Sequence, residues 1–126
     1  MKQITKLTDA QWGVIESYLI KYNAVSADTR DLINTHCLIF EFDGGIFITH
    51  NEEFDLSVLP EKRGRWKIRT VCNEFLDYMR RTYGKAVAKI YKDNLPSLRI
   101  AKHFQFAEKG RDGNLIRMEK IWAPIS

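Results

Sequence analysis

The feature that most constrains the fold is a strand-like segment that runs through a basic turn into a strongly amphipathic helix. Residues 54–59 alternate apolar and polar side chains, which is typical of a half-buried strand. A helix is predicted over residues 66–83, where apolar side chains recur every three or four positions and Gly84 follows as a C-cap. We expect this helix to pack on the sheet through its apolar stripe, which includes Phe75. Another strand is predicted at 86–91. A strand–helix–strand unit of this kind indicates a mixed α/β fold.

The other elements follow from caps, turns and periodicity. Thr8 and Gln11 have the spacing of a capping box, which predicts that an amphipathic helix begins there. The pair Asp43-Gly44 predicts a hairpin with a type I′ turn. Asn94 opens a short helix, and Asp112-Gly113-Asn114 marks a last hairpin. The remaining predictions are a strand at 3–6, a short helix at 29–33, and strands at 37–42, 46–49, 106–110 and 115–121.

Composition bounds the class of protein. A chain of 126 residues predicts one domain, 1–126, whose hydrophobic core is large enough to be stable without disulfides or a structural metal. Cys37 and Cys72 lie in apolar surroundings, and together with the three histidines they lack metal-ligand spacing. We therefore expect buried free thiols, a reducing compartment and no metal. No signal-peptide pattern and no apolar run of membrane length is present, which predicts a cytoplasmic protein without a membrane partner.

The turn between the strand and the main helix concentrates positive charge. Five of the eight residues from 62 to 69 are cationic, namely Lys62, Arg63, Arg65, Lys67 and Arg69. Unpaired N–H groups and the helix dipole attract anions at a helix start, so the turn predicts a phosphate site. We expect its strongest point at Arg63–Trp66. The alternative is a solvated basic turn with no ligand.

The element order and two segments resemble the GNAT acyltransferase superfamily. The segments are VLPEKRG at 58–64 and NLPSLRI at 94–100, with Phe106 following. The resemblance runs from Ile4 to about Met118 and is greatest to phage- and prophage-encoded members, some described as acetyltransferases and others as head-assembly or virion proteins. It implies an α/β (α+β) fold, with a mixed, mostly antiparallel sheet, a central β-α-β unit and flanking helices.

The resemblance also implies a coenzyme A site. In the family the basic turn binds the pyrophosphate of CoA or acetyl-CoA, and the asparagine that opens the short helix binds the pantetheine arm. The implied cofactor contacts are Leu59, Arg63, Gly64, Arg65, Trp66 and Asn94. The family pattern R/Q-x-x-G-x-G/A, aligned on Arg63, has Trp66 and Ile68 in place of its glycines. Basic side chains that pair directly with phosphate could compensate for the lost backbone approach.

The catalytic residues implied by the family are only partly present. Many members carry a tyrosine seven residues after the asparagine, which protonates the leaving thiolate, and this chain has Ala101 there. Tyr91 and His103 are the nearest other donors in sequence. A carboxylate on the fourth strand often serves as general base, and Asp55 has that location, with two glutamates before it. The alternative for Asp55 is an ordinary solvated strand residue.

Three functions compete at this point. The first is an acyl-CoA-dependent N-acyltransferase, whose partners are acyl-CoA and an amine. The second is a non-enzymatic phage head-assembly or virion-associated protein on the same fold, located in the host cytoplasm or the virion. The third is a small nucleic-acid-binding module, which ranks last because the net charge is only +4 and no binding motif is present. Between the first two, the degenerate turn slightly favours a groove with weak or no catalysis.

Overall fold

The structure is a computed structural model of the chain, and it describes residues 1–59 and 68–123. The described elements are β1 (Lys2–Ile4), α1 (Asp9–Lys21), α2 (Thr29–His36), β2 (Leu38–Phe42), β3 (Gly45–His50), β4 (Glu53–Val58), α3 (Ile68–Tyr83), β5 (Lys85–Tyr91), α4 (Leu95–His103), β6 (Ala107–Asp112) and β7 (Leu115–Ile121).

The strands confirm the predicted fold class. Their order in the sheet is β1-β2-β3-β4-β5-β7-β6. Strand β4 pairs with β5 in parallel, whereas the β1–β2, β2–β3, β5–β7 and β6–β7 pairs are antiparallel. Parallel neighbours need a crossover, and α3 is the helix that connects β4 to β5. The chain therefore has a mixed, mostly antiparallel sheet around a central β-α-β unit.

The contacts divide the chain into two compact units. The first comprises Met1–His50 with Leu56–Phe75, and the second comprises Asn51–Asp55 with Leu76–Ser126. Strand β4 and helix α3 contribute residues to both units.

Both sheet faces of the first unit are covered by helical residues. On one face Ile39, Ile46 and Ile48 form a buried cluster with Leu7 and with Ile15 of α1. Phe47 belongs to the other face, because side chains alternate along a strand. There the Phe47 ring stacks on Phe75 of α3, with ring centroids 4.0 Å apart and planes 3° from parallel. The prediction that Phe75 is buried under the sheet is confirmed, since it is 0% exposed.

In the second unit apolar and charged residues alternate along the strands and therefore lie on opposite faces of the sheet. Five apolar side chains on one face of β5 and β7 are buried, namely Ala86, Ala88, Ile90, Ile116 and Met118, and Val87 is buried on the opposite face. Phe54 of β4 meets Phe106 edge to face, with ring centroids 5.9 Å apart. Leu98 and Ala101 are the buried residues of α4. This pattern leaves the intervening charged residues of β4, β5 and β7 for the opposite face.

The predicted helix caps are confirmed, whereas the predicted turn type is not. Thr8 and Gln11 form the complete capping box of α1. Gly84 adopts a φ of 71° at the end of α3. The prediction of a type I′ turn is wrong, because that type needs a positive φ at both central residues. Gly44 has a φ of 104°, but Asp43 is not among the non-glycine residues with positive φ. Glycine adopts positive φ at lower cost than aspartate, so the turn confines that conformation to Gly44.

The first-helix aromatics are only partly core residues. Trp12 packs against the buried isoleucine cluster. Tyr18, in contrast, is 37% exposed, and its ring meets Tyr22 edge to face at 5.1 Å. The two tyrosine rings contact each other at the surface because residues four positions apart are neighbours on a helix.

A close approach makes glycine necessary at residue 45. A Cβ atom there would collide with the Ser57 carbonyl oxygen and would lie 2.7 Å from the Phe42 ring. We expect Gly45→Ala to lower the free energy of unfolding by about 1–3 kcal/mol, because backbone must shift to admit the methyl group. Gly13→Ala is the matched control, since nothing lies within 4 Å of a Cβ there. It should stabilise α1 by about 0.5–1 kcal/mol. Urea unfolding measures both variants, and equal effects would contradict the close approach.

Candidate functional site

The candidate general base Asp55 is an exposed residue on β4. Its pKa is nevertheless raised from 3.8 to about 6, first by desolvation and then by the negative charge of Glu53, while Lys89 opposes the shift. An exposed side chain can still be desolvated, because the two properties depend on atoms at different distances from it. Solvent touches the side chain directly, whereas protein atoms over a wider radius displace the bulk water that would stabilise its charge. Such a carboxyl is largely ionised at neutral pH and can accept a proton there.

An ion pair lies beside Asp55 in the second unit. Lys89 Nζ is 3.1 Å from Glu53 Oε1, and both side chains are nearly half exposed. Glu53 pairs in register with Val87 on the parallel neighbour β5. Asp55 and Lys89 each lie two residues further along these strands, so all three charged side chains share one face. The sequence does not predict this pair, and its one local signal is Lys89 within the predicted strand 86–91, whose other residues are apolar or aromatic.

Tyr91 and Asn94 come together where β5 ends. The Tyr91 carbonyl accepts a hydrogen bond from the Asn94 N–H at 2.9 Å. Asn94 Oδ1 accepts from the Ser97 N–H at 3.4 Å, so this side chain caps α4. Tyr91 is half-buried and shares the face of Lys89 and Asp55, being two residues beyond Lys89 on β5. Of the catalytic candidates, Asp55 and Tyr91 therefore share a face.

His103 lies apart from the position of the missing tyrosine. Ala101 is 7% exposed and forms part of the buried side of α4. His103 is exposed, and its ring meets Phe104 edge to face at 5.2 Å. Two positions along an α-helix correspond to a rotation of roughly 200°. His103 therefore projects from a different side of the helix than Ala101 does.

Leu59 is the one cofactor candidate near the turn that the structure describes. Its N–H donates to the Gly44 carbonyl at 2.7 Å, within the first unit. The other candidates there, Arg63, Gly64, Arg65 and Trp66, lie outside the described residues.

Other possible sites are few among the described residues. Residues 1–59 and 68–123 contain no group of three or more His, Cys, Asp or Glu side chains that could hold a metal. Cys72 is a buried free thiol as predicted, and burial raises its pKa to about 11, whereas Cys37 is only half-buried. Arg80 and Arg81 are exposed in the last turn of α3, where Arg81 pairs with Asp77 at 3.0 Å.

None of the helices in the described ranges is long and apolar enough to cross a membrane.

Solved N-acetyltransferase structures have this fold. PseH from Campylobacter jejuni, in complex with acetyl coenzyme A, is 17% identical, with a TM-score of 0.68 over 97% of each chain. A chimera of spermidine N-acetyltransferase SpeG from Vibrio cholerae and hSSAT is 18% identical, with a TM-score of 0.65 over 96% of each chain. Ribosomal-protein-alanine N-acetyltransferase from Brucella melitensis is 20% identical, with a TM-score of 0.55 over 85% of this chain and 77% of its own.

These similarities identify the fold as the GNAT fold. No protein-family model matches the sequence, and no curated protein sequence matches it.

Proposed function

We propose that this protein is an acyl-CoA-dependent N-acyltransferase, in which Asp55 is the general base. The observation that carries the proposal is a solvent-accessible carboxyl on β4 with a pKa of about 6, within a GNAT fold. A base is most effective when its pKa lies near the working pH. At neutral pH this carboxyl is largely ionised and ready to accept the proton of an attacking amine.

The reaction replaces a C–S bond by a C–N bond and moves one proton from nitrogen to Asp55. The amine nitrogen attacks the thioester carbonyl carbon, the C–N bond forms, and the C–S bond breaks to release CoA thiolate. Asp55 takes the proton that the nitrogen loses. Alignment of the amine with the thioester supplies much of the acceleration, because it replaces a collision in solution by a positioned encounter.

Tyr91 is the better of the two proposed donors to the thiolate. It shares the face of Asp55, whereas His103 projects from the exposed side of α4. A dedicated donor is not essential, because a thiol with a pKa near 8.5 leaves readily as thiolate near neutral pH. The absence of tyrosine at Ala101 is therefore compatible with transfer.

For the cofactor we propose acetyl-CoA or a related acyl-CoA. PseH, which has the same fold, is solved with acetyl coenzyme A. The residues proposed to hold it are the basic turn with Arg63 and Arg65, the neighbouring Leu59, Gly64 and Trp66, and Asn94. The Leu59 N–H donates to the Gly44 carbonyl, so a contact of Leu59 with the cofactor would not use this N–H. The acceptor is proposed to be an amine, since a spermidine N-acetyltransferase is among the proteins with this fold.

The basic turn can be tested by removing two charges. We expect the double variant Arg63→Ala, Arg65→Ala to bind CoA roughly 10- to 100-fold more weakly, because charge-assisted hydrogen bonds to phosphate are lost. Isothermal calorimetry with CoA and acetyl-CoA measures the effect. The matched control is Arg80→Ala, Arg81→Ala, which changes net charge equally in the exposed last turn of α3 and should leave CoA affinity nearly unchanged. Undiminished affinity in the first variant would remove the turn from the site.

The decisive experiment is direct. Purified protein is incubated with acetyl-CoA and a panel of amines, and free CoA thiol and acetylated product are measured together. Amine-dependent release of thiol supports the acyltransferase. Binding of CoA without transfer would favour the groove with little catalysis, and no binding would favour the non-enzymatic alternative. For that phage-assembly alternative the comparisons offer no support.

A further inference from the structure

A row of charged side chains crosses the second unit on the face that carries Asp55. The row consists of Glu53 on β4, Lys85 and Lys89 on β5, and Arg117 and Glu119 on β7. The register supports a common face: Val87 pairs with Glu53 and with Glu119, and Lys89 pairs with Arg117. The two lysines of β5 are thus close in sequence, alike in chemistry and on the same face.

The ion pairs divide this row into two sets. Glu119 is close to Lys85 at 3.9 Å and to Arg117 at 3.2 Å, and its side chain is only 13% exposed. Lys89 instead pairs with Glu53 at 3.1 Å. Lys85 and Arg117 therefore pair with Glu119 of β7. Lys89 pairs with Glu53 of β4 and also lowers the pKa of Asp55 on the same strand.

We propose that Lys89 is a positioning residue of the candidate site, held by Glu53 so that its ammonium group keeps Asp55 available as a proton acceptor. This inference rests on the proposed function, in which Asp55 is the base. It assigns a role to Lys89, whose ion-pair partner Glu53 lies on β4, whereas the partner of Lys85 lies on β7.

The physical reason is the balance of charges around Asp55. Burial and the negative charge of Glu53 both favour the protonated form, and the positive charge of Lys89 opposes them. Without Lys89, the repulsion between these two carboxyls, two residues apart on one strand face, would no longer be opposed by the charge of Lys89. Asp55 would then hold its proton to higher pH and would be a poorer base at neutral pH.

Titration of the Asp55 carboxyl tests this directly. Carbon-13 NMR follows the Asp55 side chain at low ionic strength, with Asp55→Asn used to identify its resonance. We expect the midpoint in Lys89→Met to lie above that of the unaltered protein by roughly half a pH unit, a size typical of exposed charge pairs. Lys89→Arg retains the charge and should restore the original midpoint.

Lys85→Met is the matched control. Its side chain is 38% exposed and that of Lys89 is 46% exposed, so both substitutions remove a similarly exposed cation from the same strand face. Because Lys85 is held at Glu119, we expect no change in the Asp55 midpoint. An unchanged midpoint in Lys89→Met, or an equal rise in Lys85→Met, would overturn the assignment.

The rate of acetyl transfer gives a second readout. In Lys89→Met the pH at which the rate rises should move upward together with the NMR midpoint. A titration that moves while the rate profile does not would also overturn the positioning role. If the unaltered protein transfers no acetyl group at any pH, the proposed function fails, and the titration by itself still decides whether Lys89 controls Asp55.

Discussion

We expect the Asp55→Asn variant to transfer acyl groups roughly 100- to 10,000-fold more slowly than the unaltered protein, the usual contribution of a general base. Asparagine has nearly the same shape but cannot accept the proton of the amine. The pH profile should change as well. In the unaltered protein the rate should rise as pH increases through about 6, where Asp55 loses its proton. That rise should be missing in the variant.

The measurement is initial rate against pH at saturating acetyl-CoA, with CoA affinity determined separately. Affinity should be preserved, since Asp55 is proposed to act on the amine and not on the phosphates. Asp112→Asn is the matched control, because it makes the same substitution at an exposed aspartate at the end of β6. A normal rate in Asp55→Asn, or the same loss in both variants, would show that Asp55 is not the base.

The second large effect concerns the core of the first unit. We expect Phe75→Ala to reduce the free energy of unfolding by about 3–5 kcal/mol, through lost burial and the cavity left behind. Phe75 is fully buried, stacks on Phe47 at 4.0 Å and approaches Phe40 at 6.3 Å. Small domains are stable by only about 5–15 kcal/mol, so this is a large fraction of the total.

Denaturant unfolding followed by tryptophan fluorescence measures this change. Asn73→Ala, two residues earlier on the exposed side of α3, should alter stability by less than about 0.5 kcal/mol. Phe75→Leu should fall between the two variants, because it preserves part of the buried volume. A loss below about 1 kcal/mol in Phe75→Ala, no more than an average point substitution, would contradict the stacked core.

Much of the fold could be predicted because its signals are local. Thr8 caps α1 through residues within one helical turn of it, and Gly84 ends α3 through its own backbone conformation. The apolar stripe of α3 predicted the burial of Phe75 before any partner was known. The type I′ turn was wrong because two dihedral angles decide it. Of the pair Asp43-Gly44, only Gly44 adopts a positive φ, so the pair predicted the position of the hairpin but not the conformation of Asp43.

The sequence by itself determined the α/β class, the helix that links β4 to β5, and Asp55 as the candidate base. Only the tertiary structure decided the chemistry of that carboxyl. Its pKa depends on how many protein atoms displace water around it and on Lys89, which reaches β4 from another strand. Desolvation and charge pairing act through space between residues distant in sequence, so no local pattern contains them.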